Sequence, residues 1–301
     1  ATFLWGTYAL LTLVHAGLLW LAGMTPFEAV THSFSTLATG GFSTEDTSLV
    51  NFGAFIQYET AFFMFLAGMN FTLHYSLLSG RWRPLARNQE LRVYVLIVSL
   101  ATAGITALLW VQGTGGIEAS FRAALFQTTA IITTTGFASA DYEQWLPPAQ
   151  VVILLLMLIG GCTGSTSGSI KVLRHMIVAK EARISMRKLL HPRGVFVYKV
   201  EGTPVSPDTL ASVSGFLLLY LLTLAAGILT LTLLGLDALT ALGAAVTTLG
   251  NVGPGFGLVG PSETYALIPA PALWVMSALM LLGRLELYTV LILLTRGYWR
   301  R

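Results

Sequence analysis

Three short polar stretches interrupt this largely apolar sequence, and each combines threonine with glycine. They read STLATGGFSTED at residues 35–46, IITTTGFASADYE at 131–143 and VTTLGNVGPGFG at 246–257. Glycine permits left-handed dihedrals and close backbone approach, so such a stretch can turn carbonyl oxygens to one side. Rings of carbonyls can replace the hydration shell of a permeating cation. For one stretch alone, a simple turn between helices explains the same composition.

The three stretches repeat in register when Gly41, Gly136 and Gly253 are aligned. An alanine lies 12 residues before each glycine, and Asp46 and Asp141 lie five residues after the first two. Each stretch follows a short apolar segment of about 12 residues, which is too short to span a bilayer. The repeated unit is therefore a helix, a short re-entrant helix, a polar loop and a second helix. Three aligned units favour a filter over three unrelated turns.

The composition is that of an integral membrane protein. Of 301 residues, 54% are hydrophobic and 10% are charged, against roughly 25% charged in soluble domains, and mean hydropathy is +0.73. We expect an all-α membrane protein built from the repeated unit of a helix, a short re-entrant helix with a polar loop, and a second helix. The long apolar stretches cover residues 3–21, 52–78, 91–111, 151–159, 213–236 and 272–294. All but the fourth approach or exceed the roughly 20 residues of a spanning helix.

Positive charge is concentrated in three zones. Of the 17 Lys and Arg residues, four lie in residues 81–92, eight in 171–199 and three in 296–301. The positive-inside rule makes these zones cytoplasmic. Nine of the 14 acidic residues lie on the opposite side, where they concentrate cations. Because this bias explains the net charge of +3, we expect no nucleic-acid partner, although the pI is near 9.1.

A second glycine-rich stretch, LIGGCTGSTSGSIKVLR, covers residues 158–174. It carries four glycines and five Ser or Thr within residues 160–169, so a helix that begins after Pro147 and Pro148 cannot continue through it to Lys180. One interpretation is a helix end followed by a flexible linker. The other is a discontinuous helix whose unwound middle lines a water-filled path below the filter.

Enzymatic chemistry has little support in this sequence. GSTSG is similar to the G-x-S-x-G nucleophile elbow, but its central residue is Thr166. The five histidines show no metal-binding spacing such as H-x-x-x-H, and no G-x-G-x-x-G nucleotide fingerprint follows a strand. We expect that the chain is not an enzyme, and an intramembrane hydrolase is the remote alternative.

The segments ATGGFS, TTTGFASADY, GNVGPG and GGCTGSTSGSIK occur in this order. They resemble the Trk/Ktr/HKT superfamily of cation transporters, in particular its TrkH branch of potassium-uptake subunits. The resemblance runs along essentially the whole chain, including the connectors RPLARNQELRVY and LLHPRGVFVYKVEGTPVS. It implies a potassium-channel-like fold of four pseudo-symmetric units around one central pore. Each unit would consist of a helix, a re-entrant pore-helix with a filter loop, and a second helix, and each would contribute one glycine to the filter. It also implies channel-like potassium uptake across the inner membrane of a prokaryote.

The chain matches the second, third and fourth units of that pattern. We assign residues 1–80, 93–180 and 207–301 to these units, and residues 81–92 and 181–206 to cytoplasmic connectors. Three units alone would leave the ring open. We therefore expect either that a first unit precedes Ala1 in a longer protein or that the pore lacks its first quarter.

The resemblance also implies roles for individual residues. K⁺ is the transported ion, and we expect no organic cofactor in this chain. The expected K⁺-binding filter residues are Thr39, Gly40, Gly41, Thr134, Thr135, Gly136, Asn251, Val252 and Gly253. The expected gating residues, in an intramembrane loop and on the last long helix, are Gly161, Gly164, Ser165, Thr166, Ser167, Gly168 and Arg284.

Arg284 interrupts the last apolar stretch. An arginine at the bilayer centre costs about 2.5 to 3.5 kcal/mol, so we expect it to face the protein interior. One interpretation is an ion pair with Glu286, although residues two apart do not share a helix face. The matching arginine of Trk and Ktr proteins implies instead a position beside the pore, near residues 161–169.

A channel-like pathway and a sodium- or proton-coupled symporter would share this architecture. Carboxylates inside spans favour coupling, and the candidates are Glu59, expected near the outer interface, and Glu286, expected to partner an interior cation. The resemblance implies a homodimer surrounded by membrane lipid. It also implies a cytoplasmic, nucleotide-binding, Trk-type regulatory subunit, which would meet the basic surfaces of residues 81–92 and 171–193.

Overall fold

The computed structural model describes residues 2–194, 196, 199–200 and 203–299, and these fold as a helical protein with one small hairpin. The remaining residues fall in the first expected unit, the connector 181–206 and the C-terminal basic zone, and they lie outside the described part. The α-helices are α1 Thr2–Leu21, α2 Pro26–Leu37, α3 Ala54–Ala67, α4 Phe71–Leu78, α5 Arg83–Arg87, α6 Gln89–Gln112, α7 Ile117–Ile132, α8 Pro147–Ile159, α9 Val172–Leu190, α10 Pro207–Leu233, α11 Ala238–Gly250, α12 Ala270–Arg284, α13 Leu287–Leu291 and α14 Arg296–Trp299. Strands β1 Lys199–Val200 and β2 Thr203–Pro204 pair antiparallel.

Three helices of the described chain, α1, α6 and α10, are long and apolar enough to cross a membrane, and the bent pair α3 and α4 could make a fourth span. Their outward faces carry large apolar side chains, such as exposed Leu13, Leu100 and Leu229. Aqueous surfaces rarely hold such continuous apolar patches. These faces are therefore suited to contact with lipid.

The short helices α2, α7 and α11 have 12, 16 and 13 residues, which is below the length of a span. Polar side chains cap the N-termini of two of these helices. Thr25 and Glu28 form a capping box at α2, and Asp237 accepts from the backbone N–H groups of Leu239 and Thr240 at α11. The C-terminal half of each short helix is almost entirely buried. The longer helices therefore surround the ends at which these short helices meet their polar loops.

The hydropathy of residues 52–78 predicts one straight helix, but the structure has two helices there. Helices α3 and α4 meet at 102°, because Asn70 caps a new helix by accepting from the Thr72 N–H at 2.8 Å. Gly68 ends α3, and its carbonyl accepts a 2.8 Å bond from the N–H of Cys162. The break is thus filled by the glycine-rich loop between α8 and α9.

The last apolar stretch, 272–294, is also broken. Helix α12 ends at Arg284, and Glu286 has a φ of 60° before α13 begins. A left-handed glutamate cannot continue an α-helix. The prediction that Arg284 lies inside a continuous span is therefore wrong, because this arginine is the last residue of α12.

The helix predicted from Pro147 is interrupted where the glycines occur. Helix α8 ends at Ile159, and α9 begins at Val172. Helix α9 then runs across the expected boundary at Lys180 as far as Leu190, because residues 181–190 are mostly good helix formers. Helix α6 likewise begins at Gln89, inside the expected connector 81–92.

Candidate functional site

The polar loops after α2, α7 and α11 share one backbone conformation. In each loop, two residues with a single residue between them have positive φ. The second of the two is the aligned glycine. A left-handed conformation is costly for residues with a Cβ, so its recurrence at Thr39, Thr134 and Asn251 marks a repeated constraint. The pairs are Thr39 (53°) and Gly41 (70°), Thr134 (57°) and Gly136 (80°), and Asn251 (55°) and Gly253 (113°).

Equivalent hydrogen bonds tie each loop to its own short helix. In the first loop, the N–H of Thr39 donates to the Thr36 carbonyl at 3.1 Å, and that of Gly40 donates to the Ser35 carbonyl at 2.7 Å. The matching bonds are Thr134 to Ile131, Thr135 to Ala130, Asn251 to Thr248 and Val252 to Thr247, at 2.9–3.2 Å. The sequence repeat is therefore also a repeat of backbone geometry.

The three loops lie against one another through their backbones. A Cβ added at Gly41 would overlap the carbonyl oxygen of Thr135, and one added at Gly136 would overlap that of Val252. At Gly253, the nearest atom to an added Cβ is the Gly136 Cα, at 3.9 Å. Glycine is thus required at the first two positions both by its positive φ and by contact with a neighbouring carbonyl.

The electrostatics of this cluster suit a cation. The C-terminal ends of α2, α7 and α11 meet at the loops, and each helix C-terminus carries about half a negative charge. None of the residues 39–41, 134–136 and 251–253 has an ionisable side chain. A cation at the loops would therefore face carbonyl and hydroxyl oxygens.

The break between α8 and α9, residues 160–171, is referred to here as the intramembrane loop. Its Thr166 carbonyl accepts from the Thr39 hydroxyl at 2.9 Å, and its Gly168 N–H donates to the Thr134 hydroxyl at 2.7 Å. A Cβ added at Gly168 would overlap the Gly250 carbonyl, at the end of α11. The intramembrane loop therefore touches all three polar loops at the ends where they leave their short helices.

Arg284 lies against the intramembrane loop. Its Nη1 donates to the Thr166 carbonyl at 3.1 Å, and its side chain lines a cavity of about 180 Å³ together with loop residues 165–169. Glu286 pairs instead with Arg174 on α9, at 3.0 Å. The alternative of an Arg284–Glu286 ion pair is therefore wrong, because the left-handed Glu286 directs its carboxylate to another helix.

Comparison with known proteins identifies the fold. A family model described as TrkH, cation transport protein, matches residues 1–297. The chain belongs to the TrkH family. The Trk system potassium uptake protein TrkH of Vibrio parahaemolyticus is 39% identical over 100% of this chain and 62% of its own length. TrkI of Halomonas elongata, also named a Trk system potassium uptake protein, is 38% identical over 98% of this chain and 60% of its own length.

The TrkH-family chain also matches a solved structure. The crystal structure of the potassium transporter TrkH from Vibrio parahaemolyticus has a TM-score of 0.92 and 38% identity, and the match covers 99% of this chain and 64% of that one. The all-α membrane fold predicted from the sequence is thus confirmed. This chain is a multi-pass protein of the inner membrane, and it spans about three fifths of the length of the relatives that it matches.

Residues at the other end of the polar loops were not predicted to contribute. The Tyr265 hydroxyl donates to the Gly253 carbonyl and the Tyr142 hydroxyl to the Gly255 carbonyl, both at 2.6 Å, and Glu143 Oε1 accepts from the Gly257 N–H at 2.7 Å. Partial burial raises the pKa of the Glu143 carboxyl, against the lowering effect of the Gly257 N–H, and nearby carboxylates raise it further. These contacts stabilise the third polar loop. The only signal for them in the sequence was the polar stretch ADYE at residues 140–143.

Glu59 is one of the two carboxylates considered as candidates for ion coupling. It is buried on α3, and its Oε1 lies 2.7 Å from Nδ1 of the fully buried His15. The other ring nitrogen of His15 is 3.1 Å from the Thr36 hydroxyl, in the last turn of α2. Among the residues that the structure describes, no group of three or more His, Cys, Asp or Glu side chains could hold a metal ion.

Proposed function

We propose that this chain is part of a potassium-uptake protein and that residues 1–80, 93–180 and 207–301 each contribute one loop to a cation filter. The observation that carries the proposal is the shared backbone of the three polar loops, with positive φ at Thr39 and Gly41 and at the aligned residues of the other two loops. Both named relatives described above are potassium uptake proteins.

Backbone carbonyls of residues 39–41, 134–136 and 251–253 are the proposed ligands of K⁺, the transported ion. Carbonyl dipoles replace water around a potassium ion without binding it too tightly for release. The three short-helix C-termini add a favourable potential. No organic cofactor and no enzymatic step belong to this proposal.

The intramembrane loop and Arg284 are the proposed gate. Thr166 and Gly168 bond to the polar loops. Together with Gly161, Gly164, Ser165 and Ser167 of the same segment, they would occupy the path of an ion. The hydrogen bond from Arg284 to the Thr166 carbonyl places a fixed positive charge beside the same segment. Movement of the loop would open the path and leave the filter unchanged.

The names of the relatives refer to a Trk system, and we propose that this chain also works with other Trk subunits. The proposed assembly is a homodimer in lipid with a cytoplasmic, nucleotide-binding regulatory subunit. Such a subunit would meet the basic residues of 81–92 and 171–193.

A symporter coupled to sodium or protons is the second candidate. The observation that favours it is the buried Glu59 carboxylate beside His15, because buried carboxylates in membrane proteins often bind a coupling ion. This observation concerns one pair of residues, whereas the shared backbone conformation involves all three polar loops. The channel-like pathway is therefore the better supported of the two.

Flux through the complete protein in proteoliposomes tests the proposal. A channel-like pathway predicts K⁺ or Rb⁺ uptake that follows the potassium electrochemical gradient at any sodium or proton gradient. Uptake against that gradient, driven by sodium or protons and lost in Glu59→Gln, would establish the symporter instead. Equal permeation of K⁺ and Na⁺ would contradict the filter.

A further inference from the structure

Glu90, the second residue of α6, has a buried carboxylate that contacts the intramembrane loop. The residue is 4% exposed. One oxygen, Oε1, accepts from the N–H of Thr163 at 2.6 Å and from the N–H of Leu173 at 3.1 Å. Thr163 lies in the intramembrane loop and Leu173 in the first turn of α9. A single carboxylate oxygen on another helix therefore bridges the two sides of the loop.

This contact supplies a helix cap that the local sequence lacks. The residue before α9 is Lys171, whose side chain cannot accept a hydrogen bond and makes no cap. The first N–H groups of a helix need an outside acceptor, and a negative charge near them is favourable. Glu90 provides both from α6.

The bonds that join the intramembrane loop to the polar loops are between neutral groups, although Arg284 also holds this loop through a charged group. They include the Thr39 hydroxyl to the Thr166 carbonyl and the Gly168 N–H to the Thr134 hydroxyl. Hydrogen bonds to an ionised acceptor are about twice as strong as neutral ones. Loss of Glu90 would also leave two amides without this acceptor inside the protein.

We infer that Glu90 is a positioning residue that latches the intramembrane loop in the conformation described here. The inference rests on the proposed gating role of that loop and adds the residue that holds it. Gln89, the neighbour of Glu90, accepts from Nζ of Lys180 on α9 at 2.9 Å, and the same Nζ donates to the Lys199 carbonyl at 3.2 Å. The latch is thus one residue away from a contact that joins α6, α9 and β1.

The cysteine next to Thr163 provides a direct readout. Cys162 is the only cysteine of this sequence and is 1% exposed, so a small thiol reagent reaches it when the loop moves. In the complete protein, with any cysteine outside this sequence replaced, we expect Glu90→Ala to raise the labelling rate of Cys162 about tenfold. Glu90→Gln keeps an acceptor oxygen but loses the charge, so it should label more slowly than Glu90→Ala and faster than the wild type.

Glu181→Ala is the matched control, since it removes a carboxylate from α9 that makes no hydrogen bond to the described loop residues. It should label at the wild-type rate. The midpoint of thermal unfolding, measured on the same samples, separates local release of the loop from general loss of structure. If Glu90→Ala does not fold, Glu90→Asp takes its place, because the shorter side chain cannot reach both amides.

Wild-type labelling rates in folded Glu90→Ala or Glu90→Asp would overturn the latch, and so would an equal rise in Glu181→Ala. Potassium flux in the same variants tests the gate separately. Faster labelling with raised flux supports both the latch and the gate. Faster labelling with unchanged flux keeps the latch and contradicts the gating role of the loop.

Discussion

The three polar loops and the intramembrane loop are both irregular backbone between apolar helices, and both are rich in glycine, serine and threonine. They differ in what holds them. Each polar loop is closed by hydrogen bonds to the last turns of its own short helix. The intramembrane loop is held largely by other elements, through Gly68, Thr39, Thr134, Glu90 and Arg284.

This difference is consistent with the two roles proposed for similar residues, selection by the polar loops and gating by the intramembrane loop. A loop that is bonded to its own helix and packed against the next loop keeps its carbonyls in place, where they can replace the hydration shell of an ion. A loop whose bonds lie on several separate helices can be released when those helices shift. Discrete rearrangement of packed elements is how such switches work.

The largest expected effect is on selectivity, through Gly136→Ser. The serine would occupy a left-handed position, which costs about 1 to 2 kcal/mol, and its Cβ would overlap the Val252 carbonyl. We expect the K⁺ over Na⁺ permeability ratio to fall about a hundredfold, as measured from reversal potentials in bilayers.

Gly104→Ser is the control for this change. Gly104 lies on α6, and no atom lies within 4 Å of an added Cβ beyond its own helix backbone. It should keep the wild-type ratio. An unchanged ratio in folded Gly136→Ser would show that the aligned glycines do not form the filter.

The next effect is on flux, through Arg284→Ala. A fixed charge roughly 8 Å from a passing cation, at an effective dielectric near 20, raises the energy of that cation by about 2 kcal/mol. Its removal should increase potassium flux roughly thirtyfold, with selectivity unchanged, whereas Arg284→Lys should keep the low flux. Reduced flux together with a lowered thermal midpoint would assign Arg284 a structural role instead.

A smaller effect is expected from Thr166→Val, which removes one hydroxyl from the intramembrane loop. That hydroxyl donates to the Leu37 carbonyl at 3.0 Å and contacts the Ala67 carbonyl at 3.3 Å. Losing about 1 kcal/mol of hydrogen bonding should raise flux about fivefold at constant selectivity. Thr230→Val is the control, because it removes an intrahelical bond on α10, and it should change neither flux nor selectivity. Altered selectivity in Thr166→Val would contradict the assignment of selection to the polar loops alone.

The sequence predicted the features that depend on local composition. The short helices and the break after Ile159 were predictable, because glycine and hydroxyl side chains end a helix wherever they cluster. The positive φ of the aligned Gly41, Gly136 and Gly253 agrees with the sequence repeat, whereas the positive φ of the residue two before each glycine was not predicted. The bend between α3 and α4 was missed because Gly68 and Asn70 stand within a stretch of high hydropathy.

Contacts between distant residues that lie outside the family motifs were not predictable. The partner of Glu286 is Arg174, 112 residues earlier, and sequence spacing offered only Arg284. Glu90 lies two residues after the helix cap Asn88, a position at which an acidic residue is common and predicts no distant contact. Its bonds to Thr163 and Leu173 arise only when α6 packs against the broken helix.

The most direct measurement is the position of bound ions in crystals of the complete protein grown with Rb⁺ or Tl⁺. Anomalous scattering should place ions among the backbone carbonyls of residues 39–41, 134–136 and 251–253, and Gly136→Ser should weaken that density. Density confined to the cavity beside residues 165–169 and Arg284, with none among the three polar loops, would contradict the assignment of selection to those loops.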